Sequence, residues 1–80
     1  MTCYYLEFIL HTYSASQNVI KNSLREFADD LDIFKMLQDN IGAGENYKIC
    51  MRTDDPTVIF DICSQFGRIK SVKIDEERSE

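Results

Sequence analysis

The stretch from Arg52 to Asp75, RTDDPTVIFDICSQFGRIKSVKID, constrains the fold more than any other part of the chain. Asp55 suits a helix N-cap, because its carboxylate can accept from a free backbone N–H of the first turn. Pro56 suits the first helical position, where a missing N–H costs nothing. Ile59, Ile62, Cys63 and Phe66 recur at helical spacing and predict a buried stripe, which Gly67 closes. The flanks alternate with period two instead. In YKICMRT, residues 47–53, Tyr47, Ile49 and Met51 point one way, and Lys48, Cys50 and Arg52 the other. In IKSVKID, residues 69–75, the same rule turns Val72 and Ile74 to the core and Ile69, Ser71 and Lys73 away from it. Strand, helix and strand in this order can bury their apolar sides only as two layers.

The N-terminal half repeats the strand signal. CYYLEFILHTY, residues 3–13, puts Tyr4, Leu6, Phe8 and Leu10 on one face and Tyr5, Glu7, Ile9, His11 and Tyr13 on the other. Ser14 and Gln17 have the spacing of a capping box and predict a helix start. Ile20, Leu24, Phe27, Leu31, Phe34 and Ile41 fall on one stripe. They carry the helix to about Asn40, with Gly42 and Gly44 as the stop, or to a break near Asp29 and Asp30. DIFKMLQ, residues 32–38, reads alternatively as a strand, because periodicity cannot decide a short apolar run. The helical reading is preferred, and the choice separates three strands from four.

The element order predicts one α+β domain over residues 1–75, followed by an acidic flexible tail at 76–80. The architecture is a two-layer α/β sandwich with helices on one sheet face, ferredoxin-like (βαββαβ) or a three-stranded variant. A chain of 80 residues buries only ~60% of its unfolded surface, enough for one core but not for a deep pocket. With 44% hydrophobic and 29% charged residues the composition is that of a globular domain, which argues against disorder.

The net charge of −5 opposes long-range attraction of nucleic acid. Residues 47–74 nevertheless carry five basic against three acidic side chains. The three cysteines, Cys3, Cys50 and Cys63, contain no C-x-x-C pair, which excludes a zinc ribbon or a thioredoxin motif. Free thiols predict a reducing, cytoplasmic setting. A signal peptide and a membrane span are not expected, since Glu7 and His11 interrupt the first apolar run.

A sheet covered on one side leaves a bare face. Its expected residues are Tyr5, Ile9, His11 and Tyr13, then Lys48, Cys50 and Arg52, then Ile69, Ser71 and Lys73. The binding candidates among them are Tyr5, His11, Tyr13, Lys48, Cys50, Arg52 and Lys73. Aromatic groups interleaved with cations suit a protein contact, self-association included, where Tyr and Arg serve as anchors. They also suit stacked bases and phosphates. Cys50 between two cations would favour the reactive thiolate, a third reading. His11 has no orienting third group for nucleophilic catalysis. Asp29, Asp30 and Asp32 are a weak candidate for a divalent cation and depart from the Ca²⁺-loop pattern at Ile33 and Phe34. IGAGEN, residues 41–46, lacks the spacing of a phosphate loop, and Glu45 would repel the phosphate.

DICSQFGRIKSVKID resembles the first helix and second strand of an RNA-recognition motif, with YKICMRT where that family has its first strand. The resemblance covers residues 47–75 and implies a β-α-β unit of ferredoxin-like type. YKICMRT has no aromatic in mid-strand, so no base-stacking residue is carried over. RTDDPTVIFDICSQFG is similar to the Asp-Pro helix of small TusA-like sulfur carriers. Those carriers use Cys-Pro-x-Pro at the start of their first helix, where this chain has Ser14-Ala15-Ser16. The expectation is therefore a non-enzymatic binding or assembly module without a cofactor. A protein partner or a second copy is favoured, with RNA or single-stranded nucleic acid as the alternative on the same face.

Overall fold

The computed structural model describes residues 2–36 and 44–78. Six elements follow in order: β1 (Thr2–Thr12), α1 (Gln17–Leu24), β2 (Asp29–Lys35), β3 (Glu45–Thr53), α2 (Pro56–Phe66) and β4 (Gly67–Arg78). They form a two-helix, four-stranded α+β structure. The sheet order is β2-β3-β1-β4 with every neighbouring pair antiparallel. β1 and β2 therefore run parallel with β3 between them, and β3 and β4 run parallel with β1 between them. Each helix crosses one intervening strand.

The alternation of β1 builds the core. Leu6, Phe8 and Leu10 are fully buried, opposite Met51, Ile49 and Tyr47 of β3. Ile20 and Leu24 from α1, and Ile59 and Cys63 from α2, close over them. Phe60 meets Phe8 edge to face at 5.5 Å. Burial pushes the Cys63 thiol up to about 12, so it stays neutral as a core group.

One polar device occurs twice. Thr12, at the end of β1, donates to the Phe66 carbonyl and accepts from the Ala15 amide. Thr53, at the end of β3, donates to the Phe27 carbonyl and accepts from the Asp55 amide. Both threonines are buried, and each satisfies backbone groups where a strand turns toward its helix. No repeat is visible in the letters; the repeat lies in the geometry.

Several expectations need correction. The long helix to Asn40 does not form. α1 ends at Leu24, and residues 29–35 are the fourth strand. Asp30 adopts φ 52°, the left-handed region that aspartate tolerates, at a bulge against β3. This resets the periodicity. Leu31 packs against the core from β2, whereas Phe27 and Phe34 are exposed. The N-cap is Ser16, not Ser14: its hydroxyl accepts from the Val19 amide, and Gln17 reaches across to the Ile33 carbonyl. Leu37, Gln38, Ile41 and Gly42 lie outside the described residues. Gly44, with φ 93°, leads into β3 rather than closing a helix.

β4 departs most from expectation. It starts at Gly67 with no intervening turn and continues through Glu76 and Glu77 to Arg78. These residues pair with Tyr4, Cys3 and Thr2, so the expected tail at 76–80 is strand up to Arg78. The register slips by one residue between Lys70 and Lys73, where Ser71 takes φ 55°. The bulge reverses the alternation. Ile69 sits opposite Leu10 and packs against the core, contrary to its outward assignment. Val72 and Ile74, expected in the core, are 45% and 50% exposed on this edge strand.

Candidate functional site

The helix-free face can be read as four rows across β2, β3, β1 and β4. The first row is Asp29, Arg52, Tyr5 and Asp75; the second is Asp32, Cys50, Glu7 and Lys73. The third is Phe34, Lys48, Ile9 and Lys70. The fourth begins at Met36, whose amide donates to the Asn46 carbonyl, and continues through Asn46, His11 and Arg68. Tyr5, His11, Lys48, Cys50, Arg52 and Lys73 thus share one face, as their alternation implies. Tyr13 lies just past β1, 74% exposed, with its ring edge to face against His11 at 5.0 Å.

Glu7 occupies the middle of this face. Its carboxylate lies 3.6 Å from Lys48 Nζ and 3.8 Å from Lys73 Nζ. Arg52 pairs with Asp30 at 3.7 Å. Pairs this exposed contribute about 1 kcal/mol or less each. Their main consequence is that the cations expected to meet phosphate already face carboxylates. His11 Nδ1 is held 2.6 Å from Asn46 Oδ1. An amide oxygen only accepts, so with this amide orientation Nδ1 carries the proton.

Cys50 is less open than the thiol reading expects. It lies on this face but is only 9% exposed, and its Sγ donates to Glu7 Oε1 at 3.8 Å. The Cys50 side chain, then burial, Glu7 and Asp32, hold the Tyr5 phenol above its ordinary value. Burial limits the access of a reagent to Cys50. Alkylation of the native chain near neutral pH should mark Cys3 first, with Cys50 and Cys63 reacting only as the fold opens. Peptide mapping of the adducts reads the order, and early modification of Cys50 would contradict it.

Asp29, Asp30 and Asp32 are not gathered into a metal site. Among the described residues no group of three His, Cys, Asp or Glu side chains could hold an ion. The bulge parts them: Asp29 aligns with Arg52, Asp32 with Cys50, and Asp30 pairs with the Arg52 guanidinium. At the sheet's end Glu45 binds Lys35 at 2.8 Å and accepts from the Tyr47 hydroxyl at 2.7 Å. These contacts hold its carboxyl below the usual range and raise the Tyr47 phenol.

Sequence reasoning missed the β2 contribution and one corner of the face. Phe34 and Met36, 57% and 36% exposed, bring apolar surface to it. A shallow hollow of about 190 Å³ lies beside them, lined by residues including Met36, Ile9, Lys48 and Lys73. At the opposite corner His11, Tyr13, Gly67, Arg68 and Lys70 line a cavity of about 490 Å³. The signal for this corner was present. Apolar residues at 69, 72 and 74 cannot share one alternation, so a phase slip between Ile69 and Val72 was readable. Among the described residues no helix is long and apolar enough to cross a membrane. Comparison of the chain with protein-family models, curated proteins and solved structures finds no match.

Proposed function

We infer that the chain is a small cytoplasmic binding and assembly module of ferredoxin-like (βαββαβ) type, and that its helix-free face receives a second copy. The observation that carries this reading is the self-complementarity of the four rows. Consider a two-fold axis lying between two facing sheets, along the diagonal from Cys50 to Ile9. The two sets of strands then cross at roughly 70°, nearer the orthogonal than the aligned way for sheets to stack. Each Glu7 comes over the partner's Lys48, each Arg52 over the partner's Asp32, and each Tyr5 over the partner's Phe34. Ile9 meets its own copy at the centre. The same face therefore supplies both halves of an isologous contact.

Size supports a modest affinity. Four strands ~4.8 Å apart with same-face residues ~6.8 Å apart give roughly 500 Å² per copy, near the lower limit for specific association. Nucleic acid across the whole face is less well supported. Glu7 stands at its centre, Asp29, Asp32 and Asp75 line one end, and Lys48, Lys73 and Arg52 already have acidic neighbours.

Charge reversal tests the pairing. Glu7→Lys and Lys48→Glu should each weaken self-association about tenfold, since like charges then face each other across the axis. The double reversal should restore most of it. Light scattering across a concentration series is the measurement, and failure of the double variant to recover would remove the proposed axis.

A further inference from the structure

We propose that the corner formed by His11, Tyr13, Arg68 and Lys70 is a binding site for a nucleoside phosphate, with the base on Tyr13 and the phosphate between Arg68 and Lys70. Three independent features converge there. The first is space. The cavity of about 490 Å³ is within the range of small-ligand sites and exceeds the hollow of about 190 Å³ beside Met36 and Lys48. The second is charge. Arg68 and Lys70 are exposed on alternate positions of β4, and neither has an ion-pair partner among the described residues. They differ in this from Lys48, Lys73 and Arg52, each with a carboxylate within 4 Å. In a chain of net charge −5, two such cations side by side form a local anion-attracting spot.

The third feature is the ring. Tyr13 is 74% exposed, yet its ring is not isolated: His11 holds it edge to face at 5.0 Å, and Asn46 in turn fixes His11 at 2.6 Å. An exposed tyrosine supported from behind presents an open π-face at low entropic cost. A bare phosphate would use only the two cations, and an apolar ligand only the ring. A nucleoside phosphate uses both. Arg68 also offers a planar fork, suited to bidentate contact with phosphate oxygens. The bulge at Ser71 makes this possible, because it turns Arg68 and Lys70 to the same face as His11.

The site shares the helix-free face with the proposed pairing, so the two compete, and the dilute chain keeps them apart in the test. Amide spectra of the dilute chain would be recorded during titration with adenosine monophosphate, inorganic phosphate and a ten-nucleotide single-stranded RNA. The proposal expects shifts at Gly67, Arg68, Lys70 and His11, with adenosine monophosphate binding at least fivefold tighter than inorganic phosphate. Tyr13→Ala should weaken the nucleotide about 5- to 150-fold and leave phosphate unchanged. Arg68→Gln with Lys70→Gln should flatten the salt dependence of both. An unchanged amide pattern elsewhere would certify that each variant is folded. Phe34→Thr, which acts on the pairing surface, should not alter the titration. RNA binding tighter than the mononucleotide would identify a strand as the source of the ligand; equal affinity would identify the free nucleotide. No shift with any probe, or phosphate binding as tightly as the nucleotide, would overturn the site.

Discussion

Replacing Gly67 with alanine should destabilise the chain by about 3 kcal/mol or more, a loss read as a fall of roughly 10–25 °C in Tm. The reason is contact, not backbone freedom. Gly67 has φ 172°, an extended conformation open to any residue. A Cβ at this position would collide with the His11 carbonyl oxygen and meet the Thr12 Cα at 3.0 Å. Here β4 leaves α2 without a turn and lies directly against the end of β1, so neither partner can move away alone. A domain of this size is held by only ~4–12 kcal/mol in total. Thr57→Ala, on the exposed side of α2, serves as the comparison and should change stability by less than about 0.5 kcal/mol. Urea unfolding of the three proteins reads both values. A Gly67→Ala chain as stable as the original would mean that β4 does not approach β1 this closely.

Phe34→Thr should weaken self-association about 30-fold or more while leaving the fold intact. An aromatic hot spot in an interface carries about 2 kcal/mol or more, and Phe34 brings the exposed aromatic ring of the edge strand β2 to this one. In the proposed pair Phe34 meets the partner's Tyr5, and it is already 57% exposed in the single copy. Threonine keeps the strand preference of β2, so the ring is what is removed. Met36→Thr, farther from the axis, should cost less. Sedimentation velocity combined with thermal unfolding separates the two effects. Equal association by wild type and Phe34→Thr would exclude Phe34 from the contact.

Much of this architecture is legible in the sequence, and the failures have specific causes. The alternation of β1 identified its buried and open faces correctly, because every second residue faces the core without interruption. Asp55 and Pro56 marked the start of α2, and the Asp55 carboxylate does accept from the Val58 amide. The two large errors both follow from a bulge. At Asp30 and at Ser71 one extra residue shifts the alternation, so a fixed period holds on only one side of the bulge; in β4, set by Val72 and Ile74, it placed Lys73 on the right face and Ile69 on the wrong one. For β2 the result was a helix stripe through Phe27, Leu31 and Phe34, of which only Leu31 reaches the core. For β4 it hid Arg68 and Lys70. The open-face set from β1 and β3 survived because these central strands pair with each other in unbroken register. Cys50 was assigned to the right face but not to its burial, which comes from neighbours on three strands that no local pattern contains.

Self-association of the unmodified chain tests the central claim most directly. Sedimentation equilibrium from low micromolar to about millimolar concentration should follow a single monomer–dimer curve, with a dissociation constant in the micromolar range expected of a patch near 1,000 Å² in total. The dissociation constant should rise about tenfold in Glu7→Lys and fall back when Lys48→Glu is added. A strict monomer over the whole range would contradict the proposed pairing and leave the helix-free face without its second copy.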